Sequence, residues 1–107
     1  MDKILCVCNQ GNCRSVGTRY LLNKHGYKNV IAIGGANTSA ETLKMLSDWA
    51  DIILLAKPVH NRFIPEENRI KINEQFTIGE DLWNNPMNKE LHKTAGKALK
   101  SIGLISK

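Results

Sequence analysis

The sequence predicts an α/β fold of three layers, α-β-α, around a four-stranded parallel sheet. Three observations carry that reading. Short apolar runs alternate along the chain with stretches of helical periodicity. The first and third runs are almost unbroken, as strands covered on both faces require. The C-terminal stretch has apolar residues on one side and lysines on the other, the pattern of a helix that covers a sheet.

The elements follow in order. Ile4-Leu5-Cys6-Val7-Cys8 is the expected central strand. A polar loop containing Gly11 follows, where a positive φ costs least. A helix is expected over residues 15–25, with Val16, Tyr20 and Leu21 inward and Gly26 ending it. Gly17 inside that helix costs about 1 kcal/mol relative to alanine, which close packing on the sheet would explain. Residues 29–33 form the second strand, closed by Gly34-Gly35. Thr38-Ser39-Ala40-Glu41 has the form of a capping box, opening a helix over residues 39–48. Residues 51–56 are the third strand, and residues 58–64 a short helix stopped by Pro65. Arg69-Ile70-Lys71-Ile72 alternates, which predicts a fourth strand at or near the sheet edge. A polar loop over residues 73–86 holds Glu80, Asp81 and Trp83. The last helix sets Met87, Leu91, Ala95, Ala98 and Ile102 against Lys89, Lys93, Lys97 and Lys100.

A chain of 107 residues with no linker or repeat is read as one domain, residues 1–107. No apolar run approaches the ~20 residues of a membrane span, and Met1-Asp2-Lys3 lacks the anatomy of a signal peptide. A cytoplasmic protein with no membrane partner is therefore expected. The net charge is +5, of which residues 86–107 carry +4. Such a balance suits anionic partners, but few aromatics accompany the lysines and a solvated helix face explains them, so nucleic acid is not expected. The composition says nothing of oligomeric state. The histidines His25, His60 and His92 show no ligand spacing and are read as surface residues, and Trp49 as core. All three cysteines lie within the first thirteen residues, unlike a secreted disulfide framework. Cys6 and Cys8 are read as pointing to opposite faces of their strand, so no metal and no cofactor is expected.

The chemistry concentrates in Cys8-Asn9-Gln10-Gly11-Asn12-Cys13-Arg14-Ser15. Cys8 ends a strand, where parallel sheets bind ligands, and Arg14 opens the next helix. The intervening residues suffice for a loop whose amides turn inward on one small anion, helped by the helix dipole. Arg14 adds a planar fork of donors suited to phosphate. That field favours a negatively charged sulfur, the nucleophilic form of cysteine. The combination points to a phosphate-ester enzyme acting through a phosphocysteine.

This stretch resembles the C-x5-R-S loop of the low-molecular-weight protein tyrosine phosphatases, including the strand before it and the helix after it. Residues 50–55 look like that family's third strand, and Asp81-Leu82-Trp83 is similar to its acid loop. The chain would be a short, divergent member. The resemblance implies that Cys8 takes the phosphoryl group and that Arg14 clamps its oxygens. Asn9, Gln10, Gly11, Asn12, Cys13, Arg14 and Ser15 would bind phosphate, Ser15 also steadying the thiolate. Asp81 would protonate the leaving group and then activate water, with Glu80 as its competitor, and Trp83 would line the mouth. The implied substrate is a phosphorylated protein, phosphotyrosine or a related aryl phosphate being the family's chemistry, or a small phosphate ester. Gly11 stands where the family has an asparagine, Asn9 where it has an apolar residue, and Val16 and Leu82 where prolines are usual. A reversible Cys8–Cys13 disulfide also fits the loop.

Three other functions share parts of this pattern. The phosphocysteine-carrying B subunit of a sugar phosphotransferase system also puts a cysteine after its first strand, but needs neither Arg14 nor Asp81. A thiol-dependent arsenate reductase uses further cysteines downstream, and none follows Cys13. A phosphate-sensing or nucleic-acid-binding module would rest on the lysine face alone.

Overall fold

The computed structural model describes every residue except Met1, Asn12, Asp81, Asn84 and Lys107. Its regular elements are β1 (Ile4–Cys8), α1 (Arg14–Lys24), β2 (Val30–Gly34), α2 (Ala40–Trp49), β3 (Ile52–Leu55) and α3 (Lys89–Ser101). Three short 3₁₀ turns, Gly35–Asn37, Pro58–Phe63 and Glu66–Lys71, link them. The sheet is parallel with order β2-β1-β3, so β1 is central and every one of its residues is buried.

The alternation of β1 divides the core. Ile4, Cys6 and Cys8 pack with Leu21, Leu22, Leu91, Ala95 and Leu99 of α1 and α3. Leu5 and Val7 pack on the other face with Ile53, Leu55 and Ile64, against Leu46 and Trp49 of α2. Helices therefore cover both faces, as the α-β-α reading expects. Cys6 and Cys8 share one face, which corrects the reading that set them on opposite sides: residues two apart on a strand point the same way. Burial pushes the Cys6 thiol up, out of reach of ionisation, and it acts as a small core residue.

The expected fourth strand is absent, and the sheet has three strands among the described residues. Pro65 opens a 3₁₀ turn whose first residues are Glu66 and Glu67, and Arg69 Nε donates to Ile64 O at 2.9 Å. The turn consumes the alternating residues and leaves Ile70 91% exposed. Only Ile72 reaches the sheet, as a single parallel bridge to Ile53, with Asn73 N donating to Ile53 O at 3.0 Å. Four alternating residues were too few to resist a proline-initiated turn.

Smaller expectations also shift. The inner face of α1 is Arg14, Ser15, Gly17, Thr18, Leu21 and Leu22, while Tyr20 lies outside it and stacks on His92 at 5.1 Å. Gly17 sits close to α3, since a Cβ there would stand 2.9 Å from Leu91 Cδ2 and 3.0 Å from Pro86 O. Ser39 caps α2 by accepting from Thr42 N at 3.2 Å, so the register is one residue later than the expected box. Thr38 instead donates to Gly34 O at 2.7 Å. In α3 the lysines are exposed as expected, but Leu99 joins the core and Met87 is 49% exposed. No helix among the described residues is long and apolar enough to cross a membrane.

Candidate active site

The crossover from β1 to β2 carries α1 over one face and the crossover from β2 to β3 carries α2 over the other, so the strand order reverses at the carboxyl end of β1, where such sheets bind ligands. Cys8 stands there. Its Sγ accepts the backbone N–H of Gly11 at 3.1 Å and lies 3.1 Å from Ser15 Oγ, a hydroxyl able to donate to a thiolate. Two of the loop's carbonyls face the other way. Asn9 O accepts from Ala36 N at 2.9 Å, and Gln10 O accepts from Asn37 Nδ2 at 3.0 Å. With those oxygens held outside, the peptide units turn their N–H edges toward the sulfur.

Two glycines allow this. Gly11 has φ +76°, and a Cβ there would sit 2.5 Å from Gly34 N. A Cβ on Gly34 would lie 2.0 Å from Gln10 C. The loop thus presses backbone to backbone on the end of β2. Gly34→Ala is expected to lower stability by about 1–3 kcal/mol through overpacking and to remove protection by inorganic phosphate in thermal unfolding. Unchanged phosphate protection would contradict that packing account.

Arg14 is the first residue of α1 and only 4% exposed. One of its terminal nitrogens donates to Gly79 O at 2.7 Å. Its Nε is buried with no hydrogen-bond partner, and no carboxylate is ion-paired with it among the described residues. A buried guanidinium with an orphaned donor is costly unless an anion completes it. Cys13, the residue before α1, is buried and donates through Sγ to Trp83 O at 3.3 Å. The Cys8–Cys13 disulfide is not formed.

The segment opposite the loop hangs from the end of β3. Ala56 O accepts from Ile78 N at 2.8 Å, Gly79 N at 3.0 Å and Thr77 Oγ1 at 3.1 Å. Phe76 and Ile78 are buried beneath it. Both oxygens of the Glu80 carboxylate accept from Lys57 Nζ. Lys57, through that hydrogen bond and then its charge, holds Glu80 below the usual carboxylate range, and Arg14 and His60 add to the effect. Asp81, the expected proton donor, and Asn12, an expected loop ligand, lie outside the described residues. Trp83 is half-buried beside Cys13.

His60 corrects another expectation, for it is buried rather than superficial. Burial first, then Arg14, Arg62 and Lys57, push its ring down to about 4 from 6.5, so it is neutral at physiological pH. Its Nδ1 accepts the backbone N–H of Lys57 at 3.3 Å. Lys57, His60, Gly79 and Asn37 escaped the sequence reading. Only Gly79, a glycine directly before two acids, carried a local signal. Among the described residues no group of His, Cys, Asp and Glu could hold a metal ion.

Two solved structures match along nearly the whole chain. Both are of the tyrosine phosphatase Wzb from Escherichia coli K30, one in complex with phosphate and one with sulphate. Each aligns with a TM-score of 0.59 at 18% sequence identity, covering 95% of this chain and 99% of the other. The chain has the fold of Wzb. No protein-family model matches the sequence, and no curated protein matches it. The sequence-level resemblance to tyrosine phosphatases and the fold therefore agree, although so few residues are shared.

Proposed function

We propose that this protein is a phosphatase that hydrolyses phosphate monoesters, aryl phosphates such as phosphotyrosine in proteins being the substrate class, through a phosphocysteine on Cys8. The observation that carries this is Arg14: a buried guanidinium with an unpartnered Nε, opening a helix beside a sulfur that accepts a loop amide. The Wzb fold, solved with phosphate and with sulphate, supports it.

Phosphoryl transfer demands positioning and charge stabilisation more than covalent work. The loop amides and Arg14 hold the phosphoryl oxygens, and the Cys8 sulfur attacks phosphorus in line. The S–P bond forms as the P–O bond to the leaving group breaks. Asp81 gives its proton to the departing oxygen, and Ser15 holds the sulfur before attack and after release. Water then attacks the phosphocysteine, passing a proton to the Asp81 carboxylate. The S–P bond breaks, and inorganic phosphate leaves with the thiolate restored. Glu80, kept ionised by Lys57, has no proton to give, which favours Asp81 as the acid. Trp83 lines the mouth, where an aromatic leaving group would stack. Cysteines that form no disulfide suit a reducing compartment, and we place the enzyme in the cytoplasm.

The reading is tested by steady-state hydrolysis of phenyl phosphate with wild type, Asp81→Asn and Glu80→Gln. Asp81→Asn should slow turnover by roughly 10²–10⁴-fold. Full activity in Asp81→Asn, with the same loss in Glu80→Gln, would reassign the acid. An inactive wild type would refute the activity.

A further inference from the structure

We propose that Lys57 is a positioning residue for proton transfer: its ammonium clamps Glu80 and so fixes the segment that carries the acid against the anion loop. The proposal rests on the phosphatase reading above and gives one side chain of that site a task.

The described residues that precede and follow Asp81 in the sequence are anchored. On one side Gly79 donates to Ala56 O and accepts from Arg14. On the other, Trp83 O accepts from Cys13 Sγ. Glu80 adjoins Asp81 directly, and Lys57 is its only side-chain partner among the described residues. The clamp has a firm base. Lys57 follows Ala56 at the end of the central sheet, and its N–H is held by the buried ring of His60. Its side chain is 31% exposed against 64% for Glu80, so the better-anchored partner holds the freer one.

Removing the ammonium frees the Glu80 carboxylate from its tether and so loosens the segment that carries the acid, whereas Arg14 and the amide of Gly11 keep their own contacts to Gly79 O and Cys8 Sγ. An exposed ion pair contributes little to stability, so the fold should not register the loss.

The experiment compares two substrates. Phenyl phosphate has a poor leaving group that needs a proton; 2,4-dinitrophenyl phosphate has a good one that does not. Lys57→Met should slow phenyl phosphate turnover about tenfold and the dinitrophenyl ester less than about twofold, since a displaced acid costs only the proton-dependent step. Inhibition by inorganic phosphate and the thermal midpoint should stay at wild-type values, and Lys57→Arg should restore most of the rate. Glu80→Gln should reproduce the leaving-group dependence, and the double variant should be no worse than either single one. Equal losses on both substrates, weakened phosphate inhibition, or no loss at all would each overturn the clamp. A wild type inactive on both esters would sink the phosphatase reading and the clamp together. A wild type active on both, with Lys57→Met unaffected, sinks the clamp alone.

Discussion

Cys8→Ser is expected to reduce phenyl phosphate turnover by roughly 10⁴-fold or more while leaving the fold intact. Serine is close to cysteine in size, and the residue is 3% exposed at the end of the central strand, so packing is nearly preserved. The chemistry is not. The environment that Gly11 N and Ser15 Oγ supply can hold a thiolate, but a hydroxyl gives up its proton far less readily. Phosphate protection in thermal unfolding should persist, because the cradle of amides and Arg14 is untouched. Turnover that survives the substitution would contradict nucleophilic attack by Cys8.

Arg14→Lys is the second large effect. Lysine keeps the charge but replaces a planar fork with a single ammonium. In the wild type one guanidinium nitrogen serves Gly79 O while Nε remains for a ligand, so one group braces the loop and faces the anion at once. A lysine at this buried position cannot do both. Loss of roughly 10²–10³-fold in kcat is expected, the usual size for removing a preorganised donor to transition-state charge. Inhibition by inorganic phosphate should weaken in parallel. Retention of wild-type phosphate inhibition and turnover would mean that Arg14 is a structural brace only.

Much of the layout was legible in the chain because its strongest signals were local and long enough. Five consecutive apolar residues specified β1, and the spacing of Leu91 and Ala95 specified α3. The loop was legible for another reason: Cys8, Arg14 and Ser15 fall within one short stretch, so chain connectivity alone brings them together. What failed was set by distant partners. The residues read as a fourth strand had a propensity too weak to outweigh the turn that Pro65 begins. Lys57 and His60 carry no motif, and they enter the site only because β3 ends beside β1. Gly34 reads as a strand terminator, yet its lack of a Cβ is demanded by Gln10, which is remote in sequence. Gly17 likewise answers to Leu91 on another helix, not to the sheet.

The central claim is a covalent phosphoryl group on one sulfur. Asp81→Asn enzyme, slowed in both proton-transfer steps, should be mixed with 2,4-dinitrophenyl phosphate, quenched within the first turnover and digested for mass spectrometry. The good leaving group lets the first step proceed without the acid, so the intermediate should accumulate. The account predicts one added phosphoryl group on the peptide bearing Cys8, absent from the corresponding Cys8→Ser protein. Rapid release of the dinitrophenolate with no phosphoryl group on Cys8, or with the group on another residue, would contradict it.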